Sequence, residues 1–295
     1  MTVAAKQQPG PGGEPTVAEL LERARQAEPI DPTQARGLVQ QARVLARSNR
    51  DPGGEAAALC HLAELSYATG SHNEAFAVAL EARGLAASCG SVRTQVSAMN
   101  LIAAVQYHAG NFTEALVAAQ GALDLYRSTG ERTGEGMLLN SIAVIQHGLE
   151  DTDRAIVTYE AALMANKGHD RPDLDAVTLA NMAKVRADRH EDLLAVSLGE
   201  SALGLARDHA PELVPEILAR LAMAYTTLSA LDRAATCLDE ADGTLRDRTD
   251  RRLFVSPGSQ VTVRIARGEL YVGQHLRERA LREWGEALEL ALQSN

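Results

Sequence analysis

Two stretches of sequence, NLIAAVQYHAGNFTEAL at residues 100–116 and NSIAVIQHGLEDTDRAI at residues 140–156, decide the fold. They keep Asn, Ile, Ala and a second Ala at the same offsets, 40 residues apart, while most of the residues between them change. A fixed period of this length is typical of repeat architectures, in which one supersecondary unit is copied along the chain. The pattern therefore predicts an array of similar units.

The same period runs through most of the chain as pairs of alanines seven residues apart. Because seven residues make about two turns of an α-helix, the two alanines of a pair share one helix face. The pairs are Ala35/Ala42, Ala75/Ala82, Ala115/Ala122, Ala155/Ala162, Ala195/Ala202, Ala234/Ala241 and Ala280/Ala287. The register predicts units at about 17–50, 51–90, 91–130, 131–170, 171–210, 211–250 and 251–295.

Each unit is predicted to contain two antiparallel helices joined by a tight turn. Apolar residues recur at spacings of three and four, as in Leu116, Ala119 and Leu123. Helix-breaking sequences separate the two runs, such as AGNF at 109–112 and GLEDTD at 148–153. Aromatic residues make up only 3% of the chain, so the core must be built from small and aliphatic side chains. The recurring alanines would let the two backbones approach where the helices cross.

These features resemble the tetratricopeptide repeat, which has an apolar-small pair in its first helix, Gly at the turn and two alanines in its second helix. Here that pattern falls on Ile102, Ala103, Gly110, Ala115 and Ala122 and on their counterparts in the other units. The usual period is about 34 residues, and the longer units resemble those of bacterial regulators and of scaffold proteins that bind peptides. The resemblance implies an all-α fold, a right-handed α-solenoid of about six to seven antiparallel helix pairs.

One such solenoid would fill residues 17–295, after a disordered N-terminal tail at 1–16 that is rich in Gly and Pro. No apolar run approaches the roughly 20 residues that span a bilayer, and the tail lacks the apolar segment of a secretory signal. The sequence therefore predicts a cytoplasmic protein with no membrane contact. Cys60, Cys89 and Cys237 are too far apart for a metal or disulfide framework, and all three are expected to be buried apolar residues.

Motifs of catalysis are missing from the sequence, so no enzymatic activity and no cofactor are expected. There is no phosphate-binding loop, zinc-protease helix, calcium loop or serine-hydrolase elbow. His108 and His147 are expected on one surface, but two histidines without a nearby carboxylate or thiolate make a poor metal site. The net charge of −10 makes nucleic acid an unlikely partner.

Charge is distributed unevenly along the chain. Residues 243–282 hold nine Arg against four acidic residues, so this segment carries +5 and the remainder −15. Two interpretations stay open for this arginine excess. It steers an acidic partner to one end of the array, or it is simply a solvated helix face.

The resemblance also implies where a partner would bind, because the first helix of each tetratricopeptide unit lines the concave groove of the solenoid. Asn100 and Asn140 share one groove position, and an Asn amide offers both a donor and an acceptor to an extended peptide. The next equivalent position is Ala180, which has no side-chain amide, so only these two asparagines can bind a peptide backbone in this way. Alternatively, Asn only solvates a helix face. The groove residues carried over by alignment are Glu64, Tyr67, Asn100, Tyr107, His108, Asn140, His147, Lys184 and Asp188.

The leading hypothesis is a non-catalytic interaction module that binds a peptide or protein partner in its concave groove. One alternative is a regulatory sensor that receives a ligand or peptide in a bacterial signalling or transcription system. Another is a self-assembling scaffold, a homo-oligomer formed through the C-terminal helix pair. That pair, in residues 251–295, is not followed by a polar capping helix in the sequence.

Overall fold

The computed structural model describes residues 15–250 and 256–293, and its regular structure within these ranges is helical, without strands. The predicted all-α solenoid is confirmed. The helices are α1 Val17–Ala27, α2 Pro32–Ser48, α3 Pro52–Ala68, α4 His72–Ser88, α5 Val92–His108, α6 Phe112–Ser128, α7 Glu135–Gly148, α8 Thr152–Asn166, α9 Pro172–Asp188, α10 Asp192–His209, α11 Val214–Thr227, α12 Leu231–Asp250, α13 Pro257–Gly273 and α14 Arg277–Gln293. A short 3-10 turn, Pro211–Leu213, precedes α11.

Odd-numbered helices are the first helices of the units, and even-numbered helices are the second. The helices α3 to α6 each have 17 residues and are separated by turns of three residues, which accounts for the 40-residue period. The division into a tail at 1–16 and a single array at 17–295 stays a prediction. Residues 1–14 of that tail, and residues 251–255 at the start of the last unit, lie outside the described residues.

Most of the described turns between helices contain a residue with left-handed backbone. In the two stretches quoted first, this residue is Gly110, with φ of 77°, and Glu150, with φ of 62°. Gly148, the glycine of the second breaker, is instead the last residue of α7. A Cβ there would stand 2.8 Å from Cε2 of Tyr107 and 2.9 Å from Cε1 of Phe112, so this glycine is needed for close packing.

The alanine pairs form the interior of the array, as the sequence predicts. Ala115, Ala122, Ala155 and Ala162 have no exposed surface, and Leu123 beside them is 2% exposed. The buried residues fall into a series of clusters, each shared by neighbouring helices. Such a core grows by addition of units, so each unit depends mainly on its neighbours.

Ion pairs join second helices of successive units along the outer surface. Nη2 of Arg43 lies 2.8 Å from Oε1 of Glu81, and Nη2 of Arg207 lies 2.7 Å from Oε1 of Glu240. Part of the arginine excess near the C-terminus joins a second helix to the next first helix, since Nη2 of Arg267 in α13 lies 2.6 Å from Oδ2 of Asp242 in α12. Exposed pairs of this kind contribute about 0–1 kcal/mol each, so they set register more than stability.

The expectation that all three cysteines are buried is wrong for Cys89. Cys60 is buried and Cys237 is half-buried, but Cys89 is exposed. It caps the C-terminal end of α4, where Sγ donates to the carbonyl of Ala86 at 3.5 Å. A residue at a helix end lies in the turn and not on the face that packs against the next helix.

Candidate partner-binding groove

The nine residues predicted to line the groove lie on four consecutive first helices, α3, α5, α7 and α9. Because equivalent positions recur every 40 residues, their side chains follow the same face of the array. Contacts divide most of them into three groups. These are an asparagine group, an aromatic group and an ionic group.

In the asparagine group, the side chains of Asn100 and Asn140 have different environments. Oδ1 of Asn140 accepts a hydrogen bond from Nδ2 of Asn181 at 3.3 Å. Oδ1 of Asn100 is buried and accepts no hydrogen bond from the described residues. An unpaired buried acceptor costs about 1–3 kcal/mol, so the Asn100 carbonyl lowers stability until a donor reaches it.

Sequence reasoning missed Asn181, because it lies one residue beyond the groove position that Ala180 occupies. Ala180 itself is buried. Because Asn181 is the next residue along α9, its side chain points in a different direction from that of Ala180. Its amide faces α7 and contacts Asn140. Its residue type was the only signal available in the sequence.

The aromatic group joins Tyr67 of α3 to Tyr107 and His108 of α5. His108 stacks on His72 with ring centroids 5.3 Å apart and planes inclined by 9°. The Tyr67 ring packs edge-to-face against both histidine rings, with ring centroids 5.5 Å apart in each case. The Tyr107 ring packs in the same way against His108, with centroids 5.7 Å apart. Sequence reasoning missed His72 because it is the first residue of a second helix, and only the turn brings it to the groove residues.

Protonation of His108 is disfavoured in the folded protein. Burial lowers the pKa of His108, and the neighbouring His72 lowers it further. Burial likewise raises the pKa of the Tyr67 hydroxyl, with a smaller contribution from Tyr107. Both shifts favour the neutral forms of His108 and Tyr67, and the group presents ring faces and edges, which suit apolar or aromatic side chains.

The ionic group brings together three predicted residues from α7 and α9. Oδ2 of Asp188 accepts from Nε2 of His147 at 3.0 Å and from Nζ of Lys184 at 2.8 Å. Burial, Lys184 and, more weakly, Arg220 of α11 lower the pKa of His147, against the opposing effect of Asp188. Sequence reasoning missed Arg220 of α11, which pairs with Glu216, because the predicted groove residues end at Asp188 of α9.

A cavity of about 230 Å³ opens beside the ionic group, between α9 and α11. Lys184, Asp188 and Arg220 form its charged edge. Its volume is below the range of about 300–1,000 Å³ that is usual for small-molecule sites, so it suits a single apolar side chain. Its apolar lining includes Ala180, Ala183, Ile217, Leu221 and Met223.

A second cavity, of about 390 Å³, lies between the beginning of the array and its sixth unit. Arg25 of α1 and Glu28, which follows that helix, face it from one side. Leu213, Glu216 and Leu245 face it from the other. The array therefore curves enough for α1 and α11 to border one space. This cavity shares Glu216 and Leu213 with a small pocket that continues to Arg220, so the concave face is continuous.

Glu64 lies in the first part of the groove, on α3. Burial within the concave face raises its pKa, and Glu28 adds to this, while His61 opposes it. Sγ of Cys60 donates to Oε1 of Glu64 at 3.7 Å. His61 lies 3.4 Å from Glu28, so the groove begins with a compact acidic region.

The described residues offer neither a metal site nor a membrane-spanning helix. Within 15–250 and 256–293, no group of three or more His, Cys, Asp or Glu side chains is arranged to hold a metal ion. None of the helices in the described part of the chain is both long and apolar enough to cross a bilayer.

Residues 94–166 match the family model of the tetratricopeptide repeat. Within this range the chain is similar to tetratricopeptide repeats. The matched range contains the residues on which the resemblance rests, Ile102, Ala103, Gly110, Ala115 and Ala122, and the resemblance is confirmed. No curated protein matches the chain in sequence.

Several solved structures share the fold of these tetratricopeptide repeats at low sequence identity. A Rap protein complexed with competence and sporulation factor is 14% identical, with a TM-score of 0.72 over 94% of this chain and 75% of that one. The Rap conjugation gene regulator of plasmid pLS20, in complex with the Phr* peptide, is 13% identical, with a TM-score of 0.73 over 94% and 74%. The apo quorum sensor NprR from B. thuringiensis is 15% identical, with a TM-score of 0.62 over 93% and 87%.

Proposed function

We propose that this protein is a non-catalytic interaction module that binds an extended segment of a peptide or protein partner in its concave groove. The observation that carries the proposal is the buried, unpaired Oδ1 of Asn100 on the groove face. Native proteins rarely leave such an acceptor unsatisfied, and a backbone N–H of a bound segment would satisfy it once the Asn100 side chain turns outward.

The groups on either side of Asn100 define what such a segment would present. The aromatic group of Tyr67, Tyr107 and His108 favours a large apolar or aromatic side chain. The cavity beside Lys184 and Asp188 favours a smaller apolar side chain followed by a polar group. A segment with two apolar anchors, bound along α5, α7 and α9, fits both features.

A second candidate function is that of a regulatory sensor that receives a peptide signal. Its support is the similarity of the fold to a Rap protein solved with competence and sporulation factor, to a Rap regulator solved with the Phr* peptide, and to a quorum sensor. Both candidates use the same groove and differ in the consequence of binding. A cytoplasmic location and the absence of catalysis and of nucleic-acid binding belong to this proposal and stay predictions from the sequence.

The proposal predicts that a double substitution in the groove removes the partner. Affinity capture from cell extract should recover a partner with the wild-type chain and lose it with Asn100→Ala plus Asn140→Ala. A matched control is Gln120→Ala plus Glu160→Ala, two exposed positions 40 residues apart on second helices. The control should retain the partner, and all three proteins should have equal helicity by circular dichroism.

Retention of the partner by the groove variant would contradict binding at the asparagines. Loss of the partner by the Gln120/Glu160 control, with the groove variant unaffected, would place binding on the outer surface instead. A peptide sensor is distinguished from a scaffold by the captured species, since a short secreted peptide supports the first and a folded protein the second.

A further inference from the structure

The last helix, α14, carries an exposed apolar face that we call the C-terminal stripe, formed by Leu281, Trp284, Leu288 and Leu292. Their exposed fractions are 67%, 38%, 61% and 68%. Spacings of three and four residues place them on one side of the helix. Single exposed apolar residues are ordinary on protein surfaces, but a contiguous row indicates an interaction site.

The repeat register shows that most of this face is an interior face in other units. Aligning Ala280 with Ala195 places Leu281, Trp284 and Leu288 at the positions of three buried residues of α10. There the next unit covers the face: a Cβ on Gly199 would stand 2.7 Å from Cδ2 of Leu221 in α11. Equivalent residues that are buried or half-buried are Leu116, Ala119, Leu123, Ile156, Tyr159, Leu163, Val196, Gly199 and Leu203. In the described part of the chain, no helix covers α14 in this way.

Trp284 is held in a fixed position on this face. Nε1 donates to the carbonyl of Ile265 at 3.3 Å. The indole also occupies the space over Gly268, where a Cβ would lie 2.2 Å from Nε1. A side chain already fixed in the free protein loses little conformational entropy on association, which favours its use as an interface anchor.

We propose that the C-terminal stripe binds the same stripe of a second copy of this chain, with the two α14 helices antiparallel about a two-fold axis near Gly285. Arg282 and Glu289 are both exposed, lie on the same side of the stripe and are seven residues apart. An antiparallel pair places each Arg282 beside the partner's Glu289 on both sides of the axis. Gly285 has nothing within 4 Å of an added Cβ, so it permits close approach at the centre.

The opposite end of the array argues against head-to-tail association. The outer residues of α1 include Glu22, Arg23 and Gln26, all exposed. If these polar groups were buried against leucine, they would lose their hydrogen bonds to water, and leucine could not replace them. Such burial is unfavourable. A two-fold pair instead places apolar surface against apolar surface, and it closes without leaving a free stripe.

The test is the mass of the full chain by light scattering as a function of concentration, with the emission of Trp284 recorded in the same samples. Trp284 is the only tryptophan of the chain, so its emission reports on the stripe alone. We expect the mass to rise from one chain to two, and the emission to shift to shorter wavelength over the same range of concentration.

Variants distinguish the stripe from other surfaces. Leu288→Glu should weaken the dimer by about tenfold or more, since it buries an unpaired charge at the contact. Leu193→Glu is the matched control, because Leu193 of α10 is 75% exposed outside the stripe, and it should leave the dimer unchanged. Arg282→Glu and Glu289→Arg should each weaken the dimer, and the double exchange should restore it.

A single-chain mass at all concentrations would overturn the proposal, including the case in which Trp284 emission is already shifted because another segment of the same chain covers it. A dimer that is insensitive to Leu288→Glu would place the contact elsewhere. Failure of the double charge exchange to restore association would overturn the antiparallel arrangement.

Discussion

At the residue scale, the clearest finding is that equivalent turns keep a left-handed backbone position whether or not glycine occupies it. Gly110 and Glu150 are equivalent positions with φ of 77° and 62°. The left-handed backbone conformation costs a residue with a Cβ about 1–2 kcal/mol, and it costs glycine nothing comparable. The two turns therefore differ in stored strain although their geometry is the same.

We predict that Glu150→Gly raises the free energy of unfolding by about 1 kcal/mol and that Gly110→Ala lowers it by a similar amount. Gly84→Ala is the control: Gly84 lies in the interior of α4 with open space around it, so the added methyl should stabilise the helix by about 0.5–1 kcal/mol. Denaturant unfolding measures all three. Equal effects of alanine at positions 84 and 110 would contradict the backbone explanation.

His108 should make the protein sensitive to acid. The folded-state pKa of His108 is lowered by burial and by His72, so folding opposes protonation. Stability is therefore complete above the ordinary histidine pKa of about 6.5 and decreases as the pH falls below it. His108→Asn should reduce the loss of melting temperature between about pH 7.5 and pH 5.

An exposed histidine provides the control for that measurement. His209 lies at the end of α10, and His209→Asn should leave the pH dependence of melting as in the wild type. If His108→Asn and the wild type lose the same melting temperature on acidification, the stack is not the acid-sensitive element.

At the element scale, the crossing of two helices in a unit depends on the alanine pairs. Ala115 has no exposed surface, so a larger side chain there has to displace its neighbours. We predict that Ala115→Leu lowers the free energy of unfolding by about 1–3 kcal/mol through overpacking. Val117→Leu, on the same helix at a site that is 71% exposed, should change it by less than about 0.5 kcal/mol. Thermal or urea unfolding gives both values, and equal effects would contradict the crossing at Ala115.

The helices and their pairing were predictable because they depend on a local periodic pattern. Spacings of three and four, breakers every 20 residues and the Ala115/Ala122 register are properties of the chain alone. The candidate site was predictable only in part, because its contacts depend on how first helices are rotated and spaced. Asn181 lies one residue off the expected groove position and Arg220 lies beyond the predicted residues. Both enter the site through the packing of α9 and α11.

One residue of the candidate site, His72, was not predicted because it belongs to a second helix. His72 begins α4, so a rule that assigns the groove to first helices cannot include it. The turn at Gly70 brings it back beside Tyr67, where it stacks on His108. Gly148 illustrates the reverse case, a glycine that marks a breaker in the sequence and serves a close contact in the structure.

At the scale of the whole molecule, curvature gives the array a continuous inner surface. The cavity between α1 and the sixth unit, the pocket at Arg220 and the cavity at Lys184 follow one another along it. Because no single unit contains a complete site, the binding surface is a property of the assembled solenoid. The proposed groove function and the proposed C-terminal dimer use different faces, so both can operate in one molecule.

The most direct test of the groove is the affinity of a captured partner segment for Asn100→Ala, with Gln120→Ala as the control, measured by calorimetry together with thermal melting. Loss of one hydrogen bond predicts that Kd rises about fivefold, since about 1 kcal/mol is typical for such a bond. Because Oδ1 of Asn100 is buried and unpaired in the free protein, the same variant should melt no lower than the wild type. An unchanged Kd for Asn100→Ala, or a weaker affinity that simply follows a lower melting temperature, would contradict binding at the groove asparagine.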